Sequence, residues 1–109
     1  YTNEAKHDML GVPVDLIEQH GAVSQQVVEA MADGAFKKAG SKNRIAISVS
    51  GIAGPDGGTP EKPIGTVWIG YADDKGVESK QLHLKGSRAD IRQSTVEYSV
   101  GWVLANLKP

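Results

Sequence analysis

The residue pattern predicts an α/β sandwich round a mixed sheet, and three features carry that reading. Helix-period stretches at Ser24–Ala39 and Ser87–Leu107 flank three strand-like runs, at Arg44–Ser50, Gly65–Ala72 and Val77–Leu84. The tetrapeptide Asp73–Gly76 (DDKG) is a hairpin signal, which makes the last two strands antiparallel. Between the first two strands lies Gly51–Gly65, with five of the thirteen glycines and three of the five prolines. Glycine admits close backbone approach and proline fixes φ, so this segment reads as a stiff loop with exposed N–H groups. It is either a preformed anion- or substrate-binding loop or an ordered surface connection. Three strands are fewer than the roughly four to six of most sheets, which reads as an incomplete domain.

Taken in order, Tyr1–Gly11 reads as a short helix capped by Thr2 or Asn3 and stopped by Gly11. Its abrupt start, without an initiator Met, reads as a cut through a larger domain. Val12–Gly21 reads as a turn with a short helical piece, Pro13 in its first turn and Leu16 and Ile17 inward. Ser24 caps the second helix, whose buried stripe is Val27, Val28, Met31, Ala32 and Ala35, with Gly40 as the stop. In the first strand Ile45, Ile47 and Val49 share one face; Ala46, Ser48 and Ser50 on the other are small enough for a helix to pack closely. Val77–Leu84 alternates weakly and belongs near an edge. Ser87 and Asp90 have capping-box spacing for the last helix, with Asp in place of Glu. That helix has two apolar stripes, one through Ile91, Thr95, Tyr98 and Trp102, the other through Val96, Val100, Val103, Leu104 and Leu107. It should pack on the sheet and on something else as well.

Composition removes several classes of function. At 109 residues the chain is one domain at most. With net charge −1 and no basic stripe, the electrostatic attraction that dominates nucleic-acid and membrane-surface binding is missing. The absence of cysteine excludes disulfides, thiolate metal sites and a cysteine nucleophile. No apolar run approaches the roughly 20 residues of a membrane span. No secretory signal is visible, so a cytoplasmic protein is expected. His7, His20 and His83 show no metal-ligand spacing, and neither a GxGxxG nor a Walker A motif occurs. A histidine metal site and Rossmann-type dinucleotide binding are therefore unsupported.

The candidate chemistry is sparse. Lys6 is a solvated face residue unless burial lowers its pKa and makes it a base. Arg88 and Arg92, one turn apart at the start of the last helix, share a face near the positive end of its dipole. They suit a phosphate or carboxylate, or else form a solvated pair bonded to Asp90 or Glu97. Ser50, at a strand end before Gly51, can bind a ligand or satisfy a local backbone group.

Three segments now carry a resemblance: YTNEAKHDMLGV (Tyr1–Val12), GAVSQQVVEAMADGA (Gly21–Ala35) and SVSGIAGPDGGTPEKPIGTV (Ser48–Val67). They resemble the CinA C-terminal domain family, whose active members are nicotinamide-nucleotide amidohydrolases. The resemblance runs over essentially the whole chain. It implies a three-layer α/β/α domain over residues 1–109 that hydrolyses the carboxamide of nicotinamide mononucleotide to the acid and ammonia, without cofactor. It implies a lysine that activates a serine; the lysine matches Lys6, and Tyr1 resembles an active-site tyrosine. Substrate-binding positions implied by it are Ser50 (where the family usually has Thr), Gly51, Gly54, Gly57, Gly58 and Thr59. Arg88 and Arg92 fall in a G-x-R-x-x-x-R stretch, one of them for the substrate phosphate. A small nucleotide substrate and a homo-oligomer, most simply a dimer, follow as partners. The family's serine lies in an A-E-S-C-T-G-G-like segment before the Tyr1 position, and this sequence contains no such segment. The first strands and helix are therefore expected to be missing, and the 109 residues alone to be inactive. The competing reading is a non-catalytic regulatory or oligomerisation module with the same fold.

Overall fold

A computed structural model describes residues 11–38 and 45–107. The helix expected over Tyr1–Gly11, with Lys6 and Tyr1, lies outside them except for Gly11. The elements are α1 (Val14–His20), α2 (Gln25–Lys38), β1 (Ile45–Gly51), β2 (Thr66–Asp73), β3 (Gly76–His83) and α3 (Arg88–Leu107).

Local chemistry sets the boundaries. Pro13 precedes α1, and Gly21, at φ 77°, stops it. Ser24 caps α2 as expected: the Val27 amide donates to Ser24 Oγ at 3.3 Å, and Ser24 Oγ donates to the Gly21 carbonyl at 2.8 Å. The β2–β3 turn is held by Asp73 Oδ1, which accepts from the amides of Lys75 and Gly76 at 2.8 and 3.2 Å. At α3 the capping box forms in both directions. The Ser87 amide donates to Asp90 Oδ2 at 3.0 Å, and the Asp90 amide donates to Ser87 Oγ at 3.2 Å.

The sheet order is β1-β2-β3. The mixed sheet read from the sequence narrows, over the described strands, to antiparallel pairing alone. Both connections turn back at a sheet end: a two-residue turn joins β2 to β3, and the Gly/Pro loop returns β1 into β2. Neither is a crossover that would make neighbours parallel.

Helices cover both faces, giving three layers. On one face Val67, Ile69 and Tyr71 of β2 pack with Ile91 and Trp102 of α3. The Tyr71 and Trp102 rings stack with centroids 5.1 Å apart. On the other face α2 comes close enough for Ala32, Ala46 and Ala72 to form a core cluster. Ser48 Oγ donates to the Val28 carbonyl at 2.5 Å, and a Cβ at Gly70 would fall onto that same carbonyl oxygen. The small residues on the even positions of β1 are thus what let α2 sit down on the sheet. A third cluster, Val12, Ile17, Val27 and Met31, fastens α1 to α2. No helix among the described residues is long and apolar enough to cross a membrane.

Candidate functional site

The Gly/Pro loop is ordered by bonds at its base and near its tip and by two clamps to the helices. At the base, the Ile52 amide donates to the Thr66 carbonyl at 2.9 Å and the Gly65 amide to the Ile52 carbonyl at 2.7 Å. Near the tip, the Thr59 amide donates to the Lys62 carbonyl, and the Lys62 amide to Thr59 Oγ1, each at 3.0 Å. The Gly54–Pro55 peptide is cis. Gly54, Gly57 and Gly65 all have positive φ, which non-glycine residues adopt only at a cost.

One clamp comes from α3. Arg88 Nη1 donates to the Gly54 carbonyl at 2.9 Å. This corrects the sequence-based alternative in which Arg88 bonds Asp90 or Glu97. Asp90 is held by Ser87, and Glu97 accepts from Gln93 Nε2 at 3.0 Å. The other clamp is Lys62, whose Nζ donates to the His20 carbonyl at the end of α1 at 2.6 Å. A lysine at a helix C-terminus also faces the negative end of the dipole. Sequence reasoning missed Lys62, since nothing local links it to a carbonyl 42 positions away.

Between loop, β1 and α3 lies a groove of about 640 Å³. It is lined by Gly51, Arg88 and Arg92, by the hydroxyl residues Thr95 and Ser99, and by apolar Val49, Ala53, Val67, Ile91, Val96 and Val100. Both arginines are exposed on α3's first turns, so the i, i+4 spacing does place both guanidinium groups on one groove. The cap keeps the Asp90 carboxyl below its usual range, chiefly through the Ser87 backbone N–H and then its side chain. That carboxylate is occupied at the cap. Such a groove can hold an anionic group against the arginines and the helix N-terminus, with a flat apolar ring along the valines.

The structure brings Gly51, Gly54, Arg88 and Arg92 together. Gly57, Gly58 and Thr59 sit at the exposed loop tip, away from the groove wall. Ser50 pairs with Trp68 and belongs to the even-numbered, α2-facing side of β1, opposite the groove. Lys6 and Tyr1 are outside the described residues. No group of three or more His, Cys, Asp or Glu residues suited to a metal ion occurs among the described residues.

These features define a class: a three-layer α/β/α domain whose Gly/Pro loop is tied to a cationic helix start beside an open groove. The CinA C-terminal domain family matches residues 1–107, and the chain belongs to that family. It is 51% identical over 96 residues to a nicotinamide-nucleotide amidohydrolase PncC of Pseudomonas putida, covering 88% of this chain and 59% of that protein. It is 47% identical over 107 residues to a CinA-like protein of Geobacter metallireducens, covering 98% of this chain and 25% of that one. Its fold matches the crystal structure of the competence/damage inducible protein CihA from Agrobacterium tumefaciens with TM-score 0.90 and 39% identity, covering 96% of this chain and 64% of that one. The chain therefore spans about a quarter of one curated relative and about three fifths of the other.

Proposed function

We propose that this chain supplies the loop, the base and the anion site of a nicotinamide-nucleotide amidohydrolase. The substrate is nicotinamide mononucleotide; the products are nicotinate mononucleotide and ammonia. The observation that carries the reading is Arg88 bonded to Gly54, which joins the cationic start of α3 to the Gly/Pro loop at one groove. The Pseudomonas putida relative's name supplies the reaction.

In this reading Arg92, and the part of Arg88 not engaged by Gly54, hold the phosphate. The loop amides face the developing oxyanion. Lys6, in its neutral form, takes the proton of a serine hydroxyl as its oxygen adds to the carboxamide carbon. The proton then leaves with ammonia, and water hydrolyses the acyl ester. Tyr1 lies within the same segment as Lys6. The serine comes from an A-E-S-C-T-G-G-like segment, which this sequence does not contain.

The experiment is a hybrid in which this chain replaces the matched part of the Pseudomonas putida amidohydrolase. The hybrid should release ammonia from nicotinamide mononucleotide, whereas the 109-residue chain alone should not. Lys6→Met in the hybrid should lower kcat by about 10²–10⁴, the usual worth of a general base. A hybrid that folds, by a cooperative melt, yet releases no ammonia would remove the reading.

A further inference from the structure

We propose that the outer edge of β3 pairs with the same edge of a second copy of this chain, antiparallel about a two-fold axis at Ser79. The inference does not depend on the reaction proposed above. The β3 edge lies across the sheet from the groove, which sits beside β1.

The hydrogen-bond phase shows which backbone groups are free. The Leu84 amide donates to the Gly65 carbonyl, so these two residues are a bonded pair. Antiparallel pairing alternates, which makes Leu82, Lys80 and Glu78 the residues bonded to β2. The N–H and C=O groups of Val77, Ser79, Gln81 and His83 then point away from β2, with no partner strand among the described residues.

The edge has room for a strand. A trough of about 440 Å³ runs along it, lined by Val77, Glu78, Ser79 and Lys80 of β3, by Gln25 and Glu29 of α2 and by Trp102 of α3. The helices on the two faces border the edge without closing it.

Charge selects the occupant. Glu78 and Lys80 are exposed and lie on the α3 face, as their cross-strand partners Tyr71 and Ile69 do. Isolated charges keep an edge from pairing, but these two complement themselves. With Ser79 opposite Ser79 of the second copy, each Glu78 faces a Lys80 and each Lys80 a Glu78. Val77 then bonds with Gln81, in the phase that the free groups require. Sliding to the next register one way sets Glu78 against Glu78; sliding the other way sets Lys80 against Lys80. Only the Ser79 register avoids both. Complementarity under a two-fold operation is what a homodimer requires, and an unrelated strand would not impose it.

The flanks agree. Lys80 Nζ lies 4.7 Å from the Trp102 ring centroid and 5.8 Å from that of Tyr98, so its stem is held against α3 beside the edge. Tyr98 is 41% exposed there, and tyrosine is enriched at interfaces. On the other face Glu29 meets its own copy near the axis. The Ser79 hydroxyl and Gln25 Nε2 both donate to that carboxylate, which tempers the repulsion.

The test is sedimentation velocity on this chain from about 1 to 100 µM, a range that spans micromolar dissociation constants. A monomer–dimer equilibrium is expected, with amide exchange at Val77, Ser79 and Gln81 slowing as concentration rises. Glu78→Lys and Lys80→Glu should each weaken the dimer at least about tenfold, because each sets like charges opposite one another. The double swap E78K/K80E restores the alternation and should return the dissociation constant to within about threefold of the parent. Gln81→Pro removes an outward N–H and should weaken the dimer at least about tenfold, which keeps a reading if Lys80→Glu unfolds on losing its ring contacts. A chain that stays monomeric throughout would overturn the proposal. So would a dimer indifferent to Glu78→Lys or Gln81→Pro, or a double swap no tighter than the single changes.

Discussion

Gly65 ends the loop at a position no other residue fits. Its φ is +95°, and a Cβ built there would overlap the Leu84 carbonyl, backbone that cannot swing aside. The same residue accepts the Leu84 amide at 2.9 Å, so the contact is fixed by the sheet itself. Gly76 is a useful contrast: its φ is also positive, at +144°, but nothing lies within 4 Å of its would-be Cβ. Gly65→Ala therefore carries both backbone strain and a clash, and should cost about 3 kcal/mol or more. Gly76→Ala carries strain alone and should cost about 1–2 kcal/mol. Urea unfolding of the two variants separates these costs; equal losses would mean that the Leu84 contact yields.

At the scale of an element, α3 depends on its first turn. The Ser87 N–H and hydroxyl lower the Asp90 pKa, so the folded state binds that proton less readily than the unfolded chain. The sign follows from linkage: the capping contribution is present above the unfolded pKa near 3.8 and is lost as pH falls through the lower folded value. Asp90→Ala should destabilise the chain at neutral pH, with the deficit shrinking toward zero in thermal melts at strongly acid pH. A deficit constant with pH would mean that the carboxylate charge is irrelevant to the cap. This cap was legible in the sequence because donor and acceptor lie three positions apart. So were the Ser24 cap, the DDKG turn and the small face of β1, all of which rest on local propensity or strand alternation. The bonds from Arg88 to Gly54 and from Lys62 to His20 span 34 and 42 positions and depend on where the loop folds, which no local spacing encodes. Arg88 and Arg92 could be placed on one helix face from their spacing, but not against the loop. Ser50 looked close to the site because it adjoins Gly51, yet strand alternation turns it to the other face.

The whole molecule is joined through β2, which bonds to both neighbours and is covered on both faces. Tyr71 occupies the middle of that arrangement: it is 2% exposed, stacked on Trp102 of α3, and opposite Glu78 of β3. Burial raises its pKa above the ordinary 10.0, and the nearby carboxylates of Asp73, Glu78 and Asp74 raise it further. Because the folded pKa is raised, the stabilisation is fully present below pH 10 and is lost as pH climbs through the folded value. Ionisation there would put a charge between the sheet and its last helix, so the expected response is global and not a local fraying. An alkaline titration followed by Trp fluorescence and far-UV circular dichroism should show loss of tertiary and secondary signal together. Tyr71→Phe removes the ionisable group while keeping the ring stack, and should extend the folded range to higher pH. If the phenylalanine variant unfolds at the same alkaline midpoint, ionisation of Tyr71 does not govern the transition, and Tyr71 is a packing residue alone.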